Sequence, residues 1–355
     1  MRALITGATG YVGSRLVPAL LDAGFDVLAG ARDPGKLAAF DTSPGGSPPE
    51  GTSPGSSTQE STASSGLALS RIATSVELDV MDADSCARAL SGHGQVDVAY
   101  YLVHGLGEGD FAETDLVGAR TFASAAAAAG VRRIVYLGGL VPPGQELSEH
   151  LESRRVVGET LREFGRGVDL VWLRAAIVLG AGSTSFELIR HLVDRLPVIP
   201  VPVWMEHRVQ PIAVDDVVHY LRHSAEADVP AGAYDIGGPD ALPYRDLVAT
   251  YARVSGRRRF LLPVRGVSTA LAARVIGWVV PLPSPLVADL VDSLSNTMVV
   301  TEETIRRFVP SPPGGVTGVR EALRRCATPA GVAVVGPGAS ADALRLNDTD
   351  PEWAG

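Results

Sequence analysis

Residues 2–21 read RALITGATGYVGSRLVPALL, and the rest of the chain hangs on how they are interpreted. Ala3, Leu4 and Ile5 form a short apolar strand that runs directly into Gly7, Gly10 and Gly13, and these lead into an apolar-periodic helix. A bare glycine pattern carries little weight, but a strand before it and a helix after it give it meaning. The three glycines have separate tasks: a tight turn, close approach of backbone to a pyrophosphate, and tight packing of helix on strand. The helix start presents N–H groups that have no partner within the helix and favour phosphate. Gly7, Thr9, Gly10, Tyr11, Val12 and Gly13 are therefore the first candidates for cofactor contact. Pro18 should kink this helix, and Gly24 should stop it.

Further along, the apolar pattern switches repeatedly between continuous or period-2 runs and helical runs. Strands are expected near 2–6, 26–31, 75–79, 96–103, 132–137 and 168–173, with helices near 11–23, 83–91, 110–129 and 147–164. Such alternation predicts an α/β Rossmann-type fold, a doubly wound parallel sheet with helices on both faces. With 46% hydrophobic residues, 355 residues can bury the core this needs. The expected boundaries are a dinucleotide-binding domain over 1–173, a further segment over 174–326 and a flexible tail over 327–355. Residues 41–70, rich in Ser, Gly, Pro and Thr, are expected to be a disordered insertion.

Composition excludes several classes. A net charge of −9 argues against a nucleic-acid binder, and the basic run Arg257–Arg259 reads as a solvated corner. Cys86 and Cys326 lie far apart, which suggests neither a disulfide framework nor a zinc knuckle and fits a reducing cytosol. The start has no apolar leader, so a cytoplasmic location is expected. The apolar stretch from Val275 is broken by prolines and too short to span a bilayer, which leaves it as core or as a greasy pocket wall. No GxSxG elbow or HExxH helix is present, and the seven histidines have no ligand spacing, so no metal is expected. The sequon at Asn347–Thr349 would be idle in cytosol.

The second strand ends VLAGARDPGK, residues 27–36. An NAD-preferring site carries an acidic residue here for the ribose hydroxyls. Arg32 and Lys36 are available instead for a 2′-phosphate, while Asp33 pulls the other way. A charge-assisted hydrogen bond contributes about 1.5–3 kcal/mol, roughly tenfold to a hundredfold in affinity, and NADP is favoured over NAD.

TGATGYVG (6–13), Asp79–Val80 after the third strand, VRRIVYLGGL (131–140), IAVDDV (212–217) and YDIGGPD (234–240) together resemble the short-chain dehydrogenase/reductase superfamily. The likeness is to its extended-to-atypical branch, the NmrA-like NAD(P)H-binding proteins related to nucleotide-sugar epimerases, and it covers about residues 1–310. The resemblance implies that Asp79 and Val80 touch the adenine. It also implies that the Tyr101–Gly105 segment, with Val103 and His104, runs beneath the ribose and nicotinamide of an NAD(P) cofactor, and that residues past Leu173 build a smaller C-terminal substrate lobe over the strand ends, spanning 174–326 and interleaved with the Rossmann sheet of the NAD(P)-binding domain.

The chain departs from that pattern at its chemical centre. The resemblance calls for a serine after the fifth strand and a Tyr-x-x-x-Lys pair on the next helix. Gly138 and Gly139 stand in place of the serine, His150 replaces the tyrosine and Arg154 the lysine. In SEHLESRRVVGET (148–160) helical geometry aims His150 and Arg154 along the apolar stripe of Leu147, Val157 and Leu161, away from Glu149, Glu152, Glu159 and Glu163. The pair is either catalytic in the cofactor cleft or a buried structural pair. In the cleft, arginine and desolvation should lower the His150 pKa and keep the ring neutral, suited as base or hydrogen-bond donor. Arg154 would hold ribose hydroxyls or a substrate oxyanion.

Two functions follow. One is an NADP-dependent oxidoreductase acting on a small carbonyl or quinone-like substrate, which the reading favours. The other is a non-catalytic NAD(P)H-binding sensor or assembly protein, which the missing serine, tyrosine and lysine favour. Trp204, His207, Arg208 and Gln210, together with RAAIVLGAGS (174–183), are expected on the substrate side. The expected partners are a small-molecule substrate and a second copy in a homodimer; neither nucleic acid nor a membrane span is expected.

Overall fold

The computed structural model describes residues 1–40, 73–105, 111–226 and 228–327; the 41–70 insertion and the tail from 328 lie outside the described residues. Strands β1 (Arg2–Ile5), β2 (Asp26–Ala31), β3 (Thr74–Glu77), β4 (Val98–Tyr101), β5 (Arg133–Gly139) and β6 (Asp169–Ala175) alternate with helices α1 (Gly13–Asp22), α2 (Ala83–Ser91), α3 (Phe111–Ala128) and α4 (Glu149–Phe164). The short β7 (Val178–Leu179), α5 (Thr184–Arg195), β8 (Val198–Pro202), β9 (Arg208–Val209), β10 (Ile212–Ala213) and α6 (Val214–His223) precede β11 (Gly232–Ile236). Then come β12 (Leu242–Pro243), α7 (Tyr244–Val254), β13 (Phe260–Val264), α8 (Thr269–Val279), α9 (Ser284–Ser293) and α10 (Val319–Ala327).

Seven strands form one parallel sheet in the order β3-β2-β1-β4-β5-β6-β11. This is the doubly wound α/β fold expected from the sequence. Its two cores follow from strand alternation, since successive side chains leave a strand on opposite faces. Ala3, Ile5, Val98 and Tyr100 join α1, α5, α6 and α7 on one face, while Leu4, Ala99, Tyr101 and Tyr136 join α2, α3 and α4 on the other. Both faces are covered, so the central strands read as unbroken apolar runs. β11 returns from beyond residue 174 to pair with β6, which interleaves the later segment with the first sheet.

Local chemistry sets the element ends. Gly24 (φ +87°) closes α1 with its N–H on the Leu21 carbonyl at 2.9 Å and the Phe25 N–H on Leu20 at 3.0 Å, the paired closure that glycine favours after a helix. Pro18 sits inside α1, where it has no N–H to offer the Ser14 carbonyl. Asp82, Ser148, Ser183 and Ser268 cap α2, α4, α5 and α8 through side-chain oxygens. Arg133, fully buried at the start of β5, donates to the Ser224 carbonyl at 3.0 Å and to the Glu226 carbonyl, and pairs with Asp169 at 3.5 Å. It thereby ties the end of α6 under the sheet.

The seat of α4 matters most for the site. The Trp172 ring from β6 lies between Gly138 and Gly158, and a Cβ at Gly158 would stand 2.6 Å from that ring. Gly158→Ala should therefore push α4 off the sheet, and urea unfolding is expected to register a loss of about 1–3 kcal/mol; an unchanged midpoint would show that the helix has slack there.

Candidate functional site

The order of the sheet reverses between β1 and β4, and a crevice opens beyond their carboxyl ends. After β1 the chain turns at Gly7, whose φ of +65° only glycine adopts without strain. The Gly10 N–H closes the turn on the Gly7 carbonyl at 2.9 Å. A Cβ at Gly13 would overlap that carbonyl and stand 2.9 Å from the Ala8 Cα, so α1 begins at a separation no other residue permits. No side chain caps α1 at Val12; the Ser14 N–H is held by the Gly10 carbonyl at 2.9 Å and the Arg15 N–H by the Val12 carbonyl at 3.2 Å, so the helix start is closed by the glycine turn itself and its dipole faces the crevice.

Arg15, on the buried side of α1, was missed in the sequence although its inward position on an amphipathic helix was a usable signal. Its guanidinium lies 3.9 Å over the Tyr11 ring and donates to the carbonyls of Tyr11 at 2.8 Å and Ala181 at 3.2 Å. A Cβ at Gly180 would overlap the Tyr11 hydroxyl. Tyr11 is thus clamped between α1 and the loop that follows β7.

The Ala8 N–H donates to the Gly30 carbonyl at 3.0 Å, which sets the end of β2 beside the glycine turn. Arg32 and Lys36 are exposed there. Asp33 turns its carboxylate back onto the Gly35 N–H at 3.0 Å. After β3, Asp79 accepts from the Met81 N–H at 2.9 Å and Val80 is buried. Val103 follows β4 against the glycine turn, its Cγ2 3.5 Å from where a Gly7 Cβ would be.

His104, His150 and Arg154 lie within electrostatic reach of one another. His104 has solvent access, yet it is surrounded by protein, and this desolvation with the Arg154 and His150 charges holds its pKa well below the usual histidine value. Burial, then Arg154, lowers His150 to about 3. Arg154 is only 7% exposed, and among the described residues no carboxylate pairs with it. Glu152 and Glu159 lie on the outer side, bonded to Arg155 at 2.8 and 2.6 Å. The inward aim read from helical spacing therefore holds for Arg154.

Three further residues belong with this group. Asp115, buried on α3, accepts from the Gly105 N–H at 2.8 Å and the Ser153 hydroxyl at 3.3 Å, joining the His104 segment to α4. The Tyr136 hydroxyl donates to the Arg154 carbonyl at 3.0 Å, and burial pushes its pKa up to about 12, so it stays protonated. A Cβ at Gly138 would stand 2.5 Å from the Trp172 Nε1, so the position expected to carry serine has no room for one.

His150 also lines a cavity of about 100 Å³ with Gly139, Ser185, Tyr244 and Ser293, where α5, α7 and α9 close over the ends of β5 and β6. A second, apolar cavity of about 350 Å³ lies beyond it, and Leu188, Tyr244 and Leu294 line both. Trp204 faces the second cavity and donates to the Val267 carbonyl at 3.3 Å. His207, Arg208 and Gln210 are bonded to backbone carbonyls of Leu294, Ala241 and Gly238, so they brace the lobe and do not gather at the crevice.

These features define a dinucleotide-crevice protein, and residues 3–237 match the family model described as the NAD dependent epimerase/dehydratase family; the chain belongs to that family. No curated protein matches the sequence. Among solved structures, an NADPH-dependent quinone oxidoreductase of Escherichia coli complexed with NADPH is similar at 18% identity and TM-score 0.65, over 92% of this chain and 99% of that one. A triphenylmethane reductase of a Citrobacter species complexed with NADP(H) is similar at 16% identity and TM-score 0.67, over 92% and 100%. The Bordetella bronchiseptica enzyme WbmH in complex with NAD+ is similar at 15% identity and TM-score 0.60, over 92% and 96%. At these identities the likeness is one of fold.

The lowered His150 pKa fixes a pH dependence. Below the unfolded value of about 6.5, the unfolded chain takes up a proton that the folded chain refuses until about pH 3. The stability from this group is complete above pH 6.5 and is lost as the pH falls through that window. Denaturation midpoints between pH 7.5 and 4 should therefore fall less steeply in His150→Gln than in the parent; parallel curves would refute the buried neutral ring.

Proposed function

We propose that the chain is an NADP-dependent oxidoreductase acting on a small carbonyl or quinone-like substrate. The observation that carries this is the meeting of His150 and Arg154: a neutral imidazole beside a buried guanidinium that is ion-paired to no carboxylate among the described residues, with His150 lining a small cavity. A buried charge is costly unless something pairs with it. An oxyanion developing on a substrate meets that need.

The crevice fits a dinucleotide on its own geometry. Added side chains would fill the cradle made by Gly7, Gly10 and Gly13, and the uncapped start of α1 suits a diphosphate. Arg32 and Lys36 would hold a 2′-phosphate, and the self-bonded Asp33 competes weakly for ribose hydroxyls. Asp79 and Val80 would flank the adenine, and Val103 and His104 would lie under the nicotinamide side. The cofactor, when bound, supplies the hydride. His150 accepts or donates a hydrogen bond at the reacting oxygen, and Arg154 stabilises charge there without moving a proton. The quinone oxidoreductase and dye reductase among the similar structures support this chemistry.

The full Gly138 position favours a second reading, a non-catalytic NAD(P)H-binding sensor, because the familiar serine cannot be accommodated. Screening quinones and carbonyl compounds for NADPH oxidation separates the two. His150→Ala is expected to lower turnover at least a hundredfold, within the range for a lost hydrogen-bond donor to a developing oxyanion, while NADPH affinity stays within twofold. Retained turnover would remove His150 from the mechanism, and no oxidation of any substrate by the parent would favour the sensor.

Cofactor preference has its own test. NADPH should bind about tenfold or more tightly than NADH, and Arg32→Ala should erase most of that difference. Equal dissociation constants in the parent chain would overturn the NADP assignment.

A further inference from the structure

Residues 247–288 contain six arginines, Arg253, Arg257, Arg258, Arg259, Arg265 and Arg274, and no Asp or Glu, in a chain whose net charge is −9. This stretch spans most of α7, then β13, α8 and the start of α9. Among the described residues, seven of the eleven large hydrophobic side chains that are exposed lie here or in the adjoining 198–203 segment. Both the charge and the apolar surface are therefore concentrated on one part of the molecule.

Geometry places them on a continuous face. β8 and β13 pair in parallel, with Val198 beside Phe260, Pro200 beside Leu262 and Pro202 beside Val264. Strand alternation puts these six on one side of the ribbon. Val198, Phe260 and Leu262 are exposed, while Pro200, Pro202 and Val264 line the apolar cavity of about 350 Å³. On α8, Leu271, Val275 and Trp278 are spaced as one helical stripe. Leu271 and Val275 are about half exposed and also line that cavity. The cavity thus reaches the surface between the ribbon and α8, with Phe260 at 80% and Trp278 at 86% exposure on its rim.

The charges around this mouth are mainly positive. Arg258, Arg265 and Arg274 are exposed, and none is ion-paired among the described residues. Arg257 is paired with Asp194 at 2.7 Å, and the nearby acid Asp292 accepts from the Thr269 hydroxyl at 3.2 Å. Aromatic side chains stable at a water–hydrocarbon boundary, aliphatic neighbours and unpaired cations are the combination that binds anionic bilayers. A symmetric contact between two copies would set these arginines against one another with no acid of the same stretch to meet them.

We propose that this face docks on an anionic lipid bilayer, with Phe260 and Trp278 at headgroup level and the exposed arginines on lipid phosphates. The apolar cavity then opens toward the hydrocarbon. Leu188, Tyr244 and Leu294 separate it from the His150 cavity, so an apolar ligand drawn from the bilayer would arrive beside the crevice. Docking itself does not depend on the oxidoreductase reading.

The test is co-sedimentation of the full chain with vesicles of phosphatidylcholine alone, and with about one-third phosphatidylglycerol added, at low and high salt. Binding to the anionic vesicles that weakens in salt is expected. Phe260→Ser with Trp278→Ser should lower the bound fraction about tenfold, and Arg258→Glu, Arg265→Glu and Arg274→Glu together should abolish the preference for anionic lipid. The melting temperature and NADPH uptake of the variants serve as folding controls, since all five side chains are exposed. A folded chain that stays in solution with both vesicles at low salt overturns the proposal, as does binding that survives in the serine double variant. Sedimentation velocity covers the remaining occupant: a dimer that the serine substitutions dissociate would make this face a self-interface and sink the bilayer assignment.

Discussion

The close seating of α1 on the glycine turn is the constraint from which the rest follows. Because Gly13 has no side chain, the helix starts in contact with the Gly7 carbonyl and Ala8. Its N-terminus, which no side chain caps, therefore stands at the point where β1 and β4 part, where a parallel sheet leaves an opening. One turn further along, Arg15 holds Tyr11 and the Ala181 carbonyl together, so the same short helix also anchors the loop leading into α5. Any displacement of α1 would disturb the crevice and the covering lobe at once.

A second close approach governs α4. Its later turns carry Val157 and Leu161 into the core on the α3 side, while Leu151 joins the core on the opposite side. The first turn therefore passes over the carboxyl rim of the sheet, and it carries His150 into the cavity. Trp172, wedged between Gly138 and Gly158, sets how near the helix comes. Excluding a side chain at Gly138 and desolvating His150 and Arg154 are two results of the same packing. In the proposed reaction a neutral ring and a permanent charge share the work that a titrating tyrosine and a lysine would otherwise do.

The covering lobe is built differently from the sheet. Its strands are short, in two-stranded ribbons, and its helices α5, α8 and α9 share a separate apolar cluster. Such a structure leaves space inside, which accounts for two cavities divided by Leu188, Tyr244 and Leu294. It also leaves apolar groups outside, on the stretch that lacks acids. The glutamates and aspartates that make the chain acidic lie elsewhere, as in the Glu152–Arg155–Glu159 network on α4. Among the described residues no helix is long and apolar enough to cross a membrane.

Much of this was readable in the sequence because it depends on neighbours along the chain. The glycine turn, the stop at Gly24, the alternation of strands and helices and the inward aim of Arg154 all follow from local sterics and from periods of 2 and 3.6 residues. Strand limits differed by a few residues, as at β4, where hydrogen bonding and not apolarity ends the strand. Asp115 was not found, because an acid on an alanine-rich helix acquires its role only from the Gly105 N–H of the preceding loop and from Ser153 on another helix. His207, Arg208 and Gln210 looked like site residues until their bonds to distant backbone carbonyls assigned them to bracing. Sequence by itself determined the fold and the diphosphate turn, since backbone conformation and burial are dictated by residue type and spacing. Only the tertiary structure decided the ionisation of His150, the burial of Arg154 and the apolar mouth beside α8, because desolvation and contact are properties of surroundings assembled from the whole chain.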